Sequence, residues 1–553
     1  MRNRESHFAV NQISLDAPRS IFDLSHGHKT TFNAGVLVPI FLEEVLPADT
    51  FIVNTSLVVR MSTPIHPVMD NCYLDTYYFY VPIRLVWEHF KEFMGENTTT
   101  KWEQEVEYEI PQITAPTGGW QKGTIADHFG LPINISNISV SVLPIRCYSL
   151  IHNELFRDQN LQDPVYISKD DSTTEGSNGS TYQTDAQKGG QLLPVNKFHD
   201  YFTSCLPEPQ KGPDVLLPLG DTAPVVGNGH ALGLTSNGTN VFGLVQSSGT
   251  YEPLRPSAGD VTENTLVGTS SAVGTRDTTK MYGVTTDPNK SGMVADLSTA
   301  TAATINNLRQ AIAIQHLFEK DARGGTRYTE IIKSHFGVTS PDGRQQRPEY
   351  LGGKRIPITM NQVLQTSSTD ETSPQGNTAA YSLTNDKSDS FTKSFTEHGY
   401  IIGVACVRTD HTYQQGIERL WSRKRRFDYY WTELANIGEQ AVLNKEIYAT
   451  GTDTDEEAFG YQEPWAEYRY KANRISGAFR STYETPLDNW HYGDKYDSQP
   501  ILGETWLRET TANIDRTLAV QSNVEDQFIA DIWFDVKATR PLPMYGIPGL
   551  RYI

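Results

Sequence analysis

Residues 31–95 read TFNAGVLVPIFLEEVLPADTFIVNTSLVVRMSTPIHPVMDNCYLDTYYFYVPIRLVWEHFKEFMG. Three strand patterns, each closed by turn residues, run here into a helical one. Val36–Leu46 is apolar but carries Pro39, which has no amide hydrogen for a ladder, so the strand must lie at a sheet edge or contain a bulge. Pro47-Ala48-Asp49 makes a turn. Phe51, Val53, Leu57, Val59 and Met61 then alternate with Asn54, Ser56, Arg60 and Ser62, the two-residue period of a half-buried strand. After Pro64 and Pro67, the strand Asn71–Val81 holds Tyr73, Tyr77, Tyr78, Phe79 and Tyr80. Beyond Pro82, Val86, Phe90, Phe93 and Met94 share one helical stripe, with Gly95 as its C-terminal cap. Such a stretch is the wall of a β-sandwich or barrel and carries no catalytic motif.

At 553 residues the chain exceeds what one hydrophobic core normally organises, about 250–300 residues. It must divide into domains or carry loops stabilised by something else. The net charge of −19, from 47 Lys and Arg against 66 Asp and Glu, argues against a surface that coats nucleic acid generally. MRNRESHFAV has no apolar signal region, and no run reaches the roughly 18 apolar residues of a membrane span. Cys72, Cys147, Cys205 and Cys406 are scattered without metal spacing, and read as reduced, buried thiols.

Taken in order, residues 1–30 hold Arg2, Arg4, Arg19, His26, His28 and Lys29 with little periodicity and read as an extended arm. Residues 31–168 carry the first strands with helical connections: a partial strand over Trp102–Ile110, a short helix over Gly123–Gly130 and a longer one over Pro144–Asn160. From 169 to 300 the composition shifts. Of the 42 glycines, 17 lie in 161–300, yet every tryptophan lies at or before Trp120 or at or after Trp421. Large aromatics are the main bulk of a core, so this segment reads as a surface insertion with short β-like pieces such as Val241–Val245. Residues 301–553 resume helical order. Ser298 is a plausible cap, and the stripe Ile305, Leu308, Ile312, widened by Ile314, Leu317 and Phe318, predicts a largely buried helix ending at Gly324-Gly325. A second helix presents Tyr328, Ile331, Ile332, His335 and Phe336, with Gly337 beyond. Residues 366–396 are polar and loop-like. Tyr400–Val407 is apolar on both faces, and Phe528–Val536 alternates cleanly. Strong strands far apart in sequence, closing one sandwich, are the Greek-key habit of jelly rolls.

Enzymatic signatures are incomplete wherever they begin. Gly227-Asn228-Gly229 has Leu232 where a dinucleotide loop needs its third glycine, and Gly352-Gly353-Lys354 lacks the remaining parts of a phosphate loop. Asp453, Asp455 and Glu457 could wrap calcium, but Ala458 replaces the glycine of such a loop. No cofactor is implied. One cluster stands out: Arg419, Arg423, Lys424, Arg425 and Arg426 lie among Trp421, Phe427, Tyr429, Tyr430 and Trp431. Cations interleaved with flat rings are what single-stranded nucleic acid needs, charge for phosphates and faces for bases. The alternative, and the favoured one, is a structural knot in which the arginines pair with acids or stack across a subunit boundary. Tyr77, Tyr78, Phe79 and Tyr80 are candidate interface anchors of the same kind.

Composition leaves two classes open: a structural protein whose large loops are buried by symmetry mates, and a β-sandwich binding protein or glycan-processing enzyme with paired carboxylates. A resemblance separates them. KTTFNAGVLVPIF, EEVLPADTF, VVRMSTPIHPVMDN and VPIRLVWEHFKEFMGEN, with QHLFEKDARGGTRYTEIIKSHFGV and RPEYLGG at 315–353, ERLWSRKRRFDYYWTELANIGEQ and FGYQEPWAEYRYKANRISG at 418–477, and RPLPMYGIPGL at 540–550, make the chain similar to the major capsid protein of the gokushoviruses, small single-stranded DNA phages of the microvirus family. The likeness covers both ends and part of the middle and is not seen in 169–300. It implies no enzyme but a mainly β fold, an eight-stranded antiparallel jelly-roll barrel with long loop and helical insertions. It further implies a T=1 icosahedral shell with five-, three- and two-fold contacts between copies, enclosing circular single-stranded DNA. A small basic DNA-binding virion protein, assembly in the bacterial host cytoplasm, and a host-cell receptor met by protrusions of the 169–300 insertion at the threefold axes are implied with it.

Overall fold

In a computed structural model of the chain, eight long strands form two antiparallel sheets. They are β1 (His26–Phe32), β2 (Val36–Val45), β3 (Thr50–Met61), β4 (Cys72–Pro82), β5 (Glu349–Pro357), β6 (Thr384–Ser394), β7 (Gly399–Thr409) and β8 (Phe528–Arg540). The structure describes residues 19–97, 106–216, 305–339, 343, 346–367, 369, 375–376 and 378–545, with the strand pieces 225–227, 233–235, 241–243, 283–284 and 293–295. One sheet runs β1-β8-β3-β6, with the short strand Ser20–Asp23 also paired to β8. The other runs β5-β4-β7-β2, with Leu193–Pro194 added beside β2. Neighbours within each sheet are far apart in sequence.

The alternation read in the sequence becomes burial. In β8, Phe528, Ala530, Ile532, Phe534 and Val536 are buried, and Ile529, Asp531 and Trp533 between them are exposed. Burying the apolar face is what holds the strand in register, because a one-residue slip would turn that face to water. The inner faces meet through rings: Phe41 of β2 lies 5.0 Å from Phe534 of β8, and Tyr78 of β4 lies 5.5 Å from Phe391 of β6. The Tyr78 hydroxyl is also 2.6 Å from Thr55 Oγ1 of β3, so the one polar atom it carries inward has a partner. Pro39 sits where expected, at a bulge: Phe41 faces Gly403 and Pro39 faces Val404, leaving Ile40 unopposed.

The outer face of the β4-containing sheet is covered too. Helix α1 (Leu143–Ile151), continued by a wider turn over His152–Phe156, buries Leu143, Ile145, Cys147, Tyr148 and Ile151. The Tyr148 hydroxyl donates to Leu37 O (2.6 Å) and accepts from Leu193 N (3.1 Å). Arg146, only 1% exposed, donates to the carbonyls of Val86 and Asp170. This cover corrects one expectation. Tyr78, Phe79 and Tyr80 are buried and Tyr77 is half-buried, so these four are core residues of a sheet packed on both faces and not free interface anchors.

Other expectations also shift. The helix after Pro82 is one short turn, Phe90–Phe93, although Gly95 does take the left-handed conformation beyond it (φ 97°). Residues 20–23 and 26–32 are strands on β8 and not part of an arm; residues 1–18 lie outside the described residues, as do Ser298 and residues 102–105, while the described residues 106–110 form no strand. The polar stretch 366–396 contains β6, an edge strand hydrogen-bonded to β3 alone, and the strand Thr378–Ser382, which pairs with Met360–Leu364 just before the stretch. The helix α2 (Ile305–Gly324) forms as predicted but is not largely buried: Ile305, Leu308, Ile312, Ile314 and Leu317 are exposed, and only Ala322 is buried. Helix α3 (Tyr328–Phe336) ends at Gly337 in the left-handed conformation, with Tyr328 and Phe336 exposed.

Contacts divide the chain into two units, Met1–Lys211 with Glu319–Ile553, and Gly212–Phe318. The smaller unit holds two small antiparallel sheets, Val225–Gly227 with Met293–Ala295, and Gly233–Thr235 between Val241–Gly243 and Gly283–Val284. Residues 169–211 belong to the larger unit, where Tyr182, Leu192, Leu193 and Val195 join its core. All four cysteines are buried and unpaired.

Candidate subunit and nucleic-acid contact surface

The connection from β7 to β8, residues 410–527, carries the basic cluster. It has little regular structure, so its backbone groups must be satisfied otherwise. Buried glutamines do much of this. Gln415 donates to Tyr496 O (2.8 Å) and accepts from Tyr496 N (2.7 Å), as a strand neighbour would. Gln414 accepts from Ser481 N (2.9 Å) and donates to Asp494 O (3.1 Å). Gln527 accepts from Ala34 N (3.0 Å) and donates to Thr511 O (3.1 Å). A second small core of Tyr201, Phe202, Cys205, Tyr413, Val442, Ile447 and Phe459 supports the connection.

At its root, His411 is buried between two acids, its Nδ1 2.8 Å from Asp494 and its Nε2 2.9 Å from Glu509. Burial alone would strip the ring of its proton, but the two carboxylates outweigh burial and push its pKa up to about 10. His411 is therefore an imidazolium near neutral pH, and both ring nitrogens donate. Burial alone would raise the carboxyl of Asp494, but the charge of His411 prevails and holds it below its ordinary range.

The cluster itself follows as three short turns, Arg419–Ser422, Arg426–Asp428 and Thr432–Leu434. Its arginines divide in two. Arg419 pairs with Glu446 (3.3 Å) and Arg423 with Glu467 (3.2 Å), and the Arg423 guanidinium lies 4.5 Å from the centre of the Tyr468 ring. Arg426 stacks on Trp431 at 4.6 Å, and Trp431 Nε1 donates back to Arg426 O (3.1 Å). The side chains of Lys424 and Arg425 are exposed, with no ion pair to the described residues, while their amides donate to Asp428 Oδ2. Around them Trp421 is 74% exposed and Phe427 68%, with Tyr429 and Tyr430 also exposed. Buried pairs fix the knot from below, and an apolar, cationic face is presented above it.

Other motifs resolve as structure. Asp455 accepts from the amides of Thr450 (2.9 Å) and Gly451 (2.7 Å), so the acidic run is a self-bonded turn. Gly352 lies in β5, where an added Cβ would stand 2.1 Å from Ser390 O. Among the described residues no group of three His, Cys, Asp or Glu side chains is placed to hold a metal ion. Sequence reading missed a cation stack at the β4–β5–β7 sheet: Arg355 and Arg408 share the single buried carboxylate of Asp75 and enclose the Phe198 ring, each 4.2 Å from its centre. Arg355 and Arg408 flank Asp75 on neighbouring strands, a register that no single segment displays.

A family profile described as "Capsid protein (F protein)" matches residues 11–550. The chain is 43% identical to a protein named "Capsid protein VP1" of Bdellovibrio phage phiMH2K, over 99% of this chain and 98% of that one. Proteins of the same name from Chlamydia phage 1 and Spiroplasma virus 4 are 40% and 43% identical, over 100% and 99% of this chain and 98% and 97% of theirs.

Proposed function

This chain belongs to the phage capsid (F) protein family, a structural family of the virion, and from that premise we propose that it is the unit of a T=1 icosahedral shell around circular single-stranded DNA. The near full-length match to three VP1 proteins carries the reading. The fold proposed for the unit is an eight-stranded jelly-roll barrel. Strand order supports it: β1-β8-β3-β6 faces β2-β7-β4-β5, so the first strand lies beside the last and consecutive strands alternate between sheets except at β4 and β5, which pair.

In this reading residues 417–437 are a contact between copies, because the arginines beneath are already paired and the exposed surface is aromatic, as at interface anchors. Lys424 and Arg425 remain for phosphates or for a neighbouring copy. With −19 charges per chain, packaging a dense polyanion calls for a small basic DNA-binding virion protein. The 169–300 insertion meets the host-cell receptor, and assembly takes place in the bacterial host cytoplasm. Negative-stain microscopy of the purified chain tests the central point. Uniform closed shells are expected, and discrete small particles under all assembly conditions would overturn it.

A further inference from the structure

A cleft of about 490 Å³ opens beside the cation stack of the larger unit, away from the basic cluster of 419–426. Two kinds of side chain line it. Tyr77, Phe79, Phe156 and Tyr350 form a ring cluster with centres 5.4–6.5 Å apart, and Tyr350 is 54% exposed. Arg157 and Arg408 supply charge. Arg408 shares the one carboxylate of Asp75 with Arg355, so that group of three carries a net positive charge. Arg157 has no carboxylate within ion-pair distance among the described residues; its Nη1 donates to Gln162 O (2.8 Å). The Nε atoms of Arg157 and Arg408 and the Oδ1 of Asn196, also at the cleft, are buried without a partner. Asp158 is the acid opposing them in the lining, and Arg323 there is balanced by Glu439.

Guanidinium groups whose donors are not all satisfied, beside an exposed ring, in a chain of net charge −19, are complementary to a ligand that is flat at one end and anionic at the other. We propose that this cleft binds a nucleoside phosphate, with its base against Tyr350 and Phe156 and its phosphate toward Arg157 and Arg408. A free nucleotide and one unit of a single strand share that chemistry. The cleft does not depend on what the shell encloses; only the strand source rests on the reading above.

Fluorescently labelled 5′-adenylate and a labelled single strand of about ten nucleotides, titrated separately with the assembled full-length protein, test it. Saturable binding is expected, weakened roughly tenfold or more by Arg157→Gln and by Tyr350→Ala. Tyr350 is exposed, so its variant folds even where Arg157→Gln does not. Adenylate bound without the strand assigns a free nucleotide, and the strand bound with the same losses assigns the genome. If neither probe binds, or if Tyr350→Ala binds both as the parent does, the proposal is overturned. Shell formation by microscopy is read independently, so failure of the cleft and failure of the capsid reading are distinguishable.

Discussion

At the residue scale, burial fixes charge states that the sequence does not display. His152 and His128 are buried neutral; burial depresses both pKa values to about 4, against the pull of Pro194 O on His152 and of Asp127 on His128. In the unfolded chain both would titrate near 6.5. A depressed histidine contributes stability that is complete above the unfolded value and is lost as pH falls from about 6.5 toward 4. Thermal stability should therefore drop across that window, and His152→Gln, which can still donate to Pro194 O, should flatten the slope in melts at stepped pH. His411 has the opposite sign: its raised pKa stabilises fully below 6.5 and is lost only as pH rises through about 10. Replacing it with Leu leaves Asp494 and Glu509 buried without their cation, at a cost of about 3–5 kcal/mol. That loss should shrink in acid; a loss independent of pH would show the triad is not electrostatic. Gly403 is a steric case. An added Cβ would lie 2.7 Å from Phe41 Cβ and 2.8 Å from Tyr78 Cε1, both between the sheets, so Gly403→Ala should cost about 1–3 kcal/mol in a denaturant titration.

At the scale of elements, legibility followed the face that each element buries. β3 and β8 alternate because one face is core and the other is exposed, and β7 is apolar from Tyr400 to Val407 because both its faces are covered there. β6, TNDKSDSFTKS, escaped because it needs few apolar residues: it pairs with β3 alone, and Phe391 is its main inward anchor. α2 misled in the other direction. Its stripe is real, but it is exposed in the single chain, and periodicity does not say whether a stripe faces its own core or another molecule. The aromatics of 73–80 erred likewise, since the cover over β4 comes from α1 and the turn after it, elements remote in sequence. In the 419–434 segment, exposure and pairing separate roles that composition merged. Trp421→Ala with Phe427→Ala should abolish shell assembly while the melting temperature of the unassembled chain changes little. Lys424→Gln with Arg425→Gln should leave shells intact and lower the DNA they retain. Shells lost in the second variant would place those two cations at a contact between copies.

For the molecule as a whole, the mismatch between length and core is resolved by division of the chain. The larger unit closes two sheets and ties its long connections with glutamine and histidine networks, and Gly212–Phe318 forms the other unit. The tryptophan-free, glycine-rich composition spans 169–300, whereas the second unit begins at Gly212. Residues 169–211 also lack tryptophan, yet they carry Tyr182, Phe198, Tyr201 and Phe202, and Tyr182, Leu192, Leu193 and Val195 hold them in the core of the larger unit. A deletion that tests host attachment must therefore begin after residue 211. Cutting from about residue 178 would remove Tyr182 and the Leu193–Pro194 strand beside β2, and would fail through misfolding. Gly212 and Phe318 are better ends, because a Cβ on Gly212 would lie 3.7 Å from the Phe318 ring, so the ends already meet. Replacing residues 213–317 with a short Gly/Ser bridge should then leave the sheets, the second small core around Tyr201 and Phe459, and assembly intact, since loop closure over so short a span costs little. If this unit is the host-attachment element, the truncated particles should show the parental melting profile and shell diameter but no adsorption to cells. Parental adsorption by such particles would move receptor contact onto the larger unit.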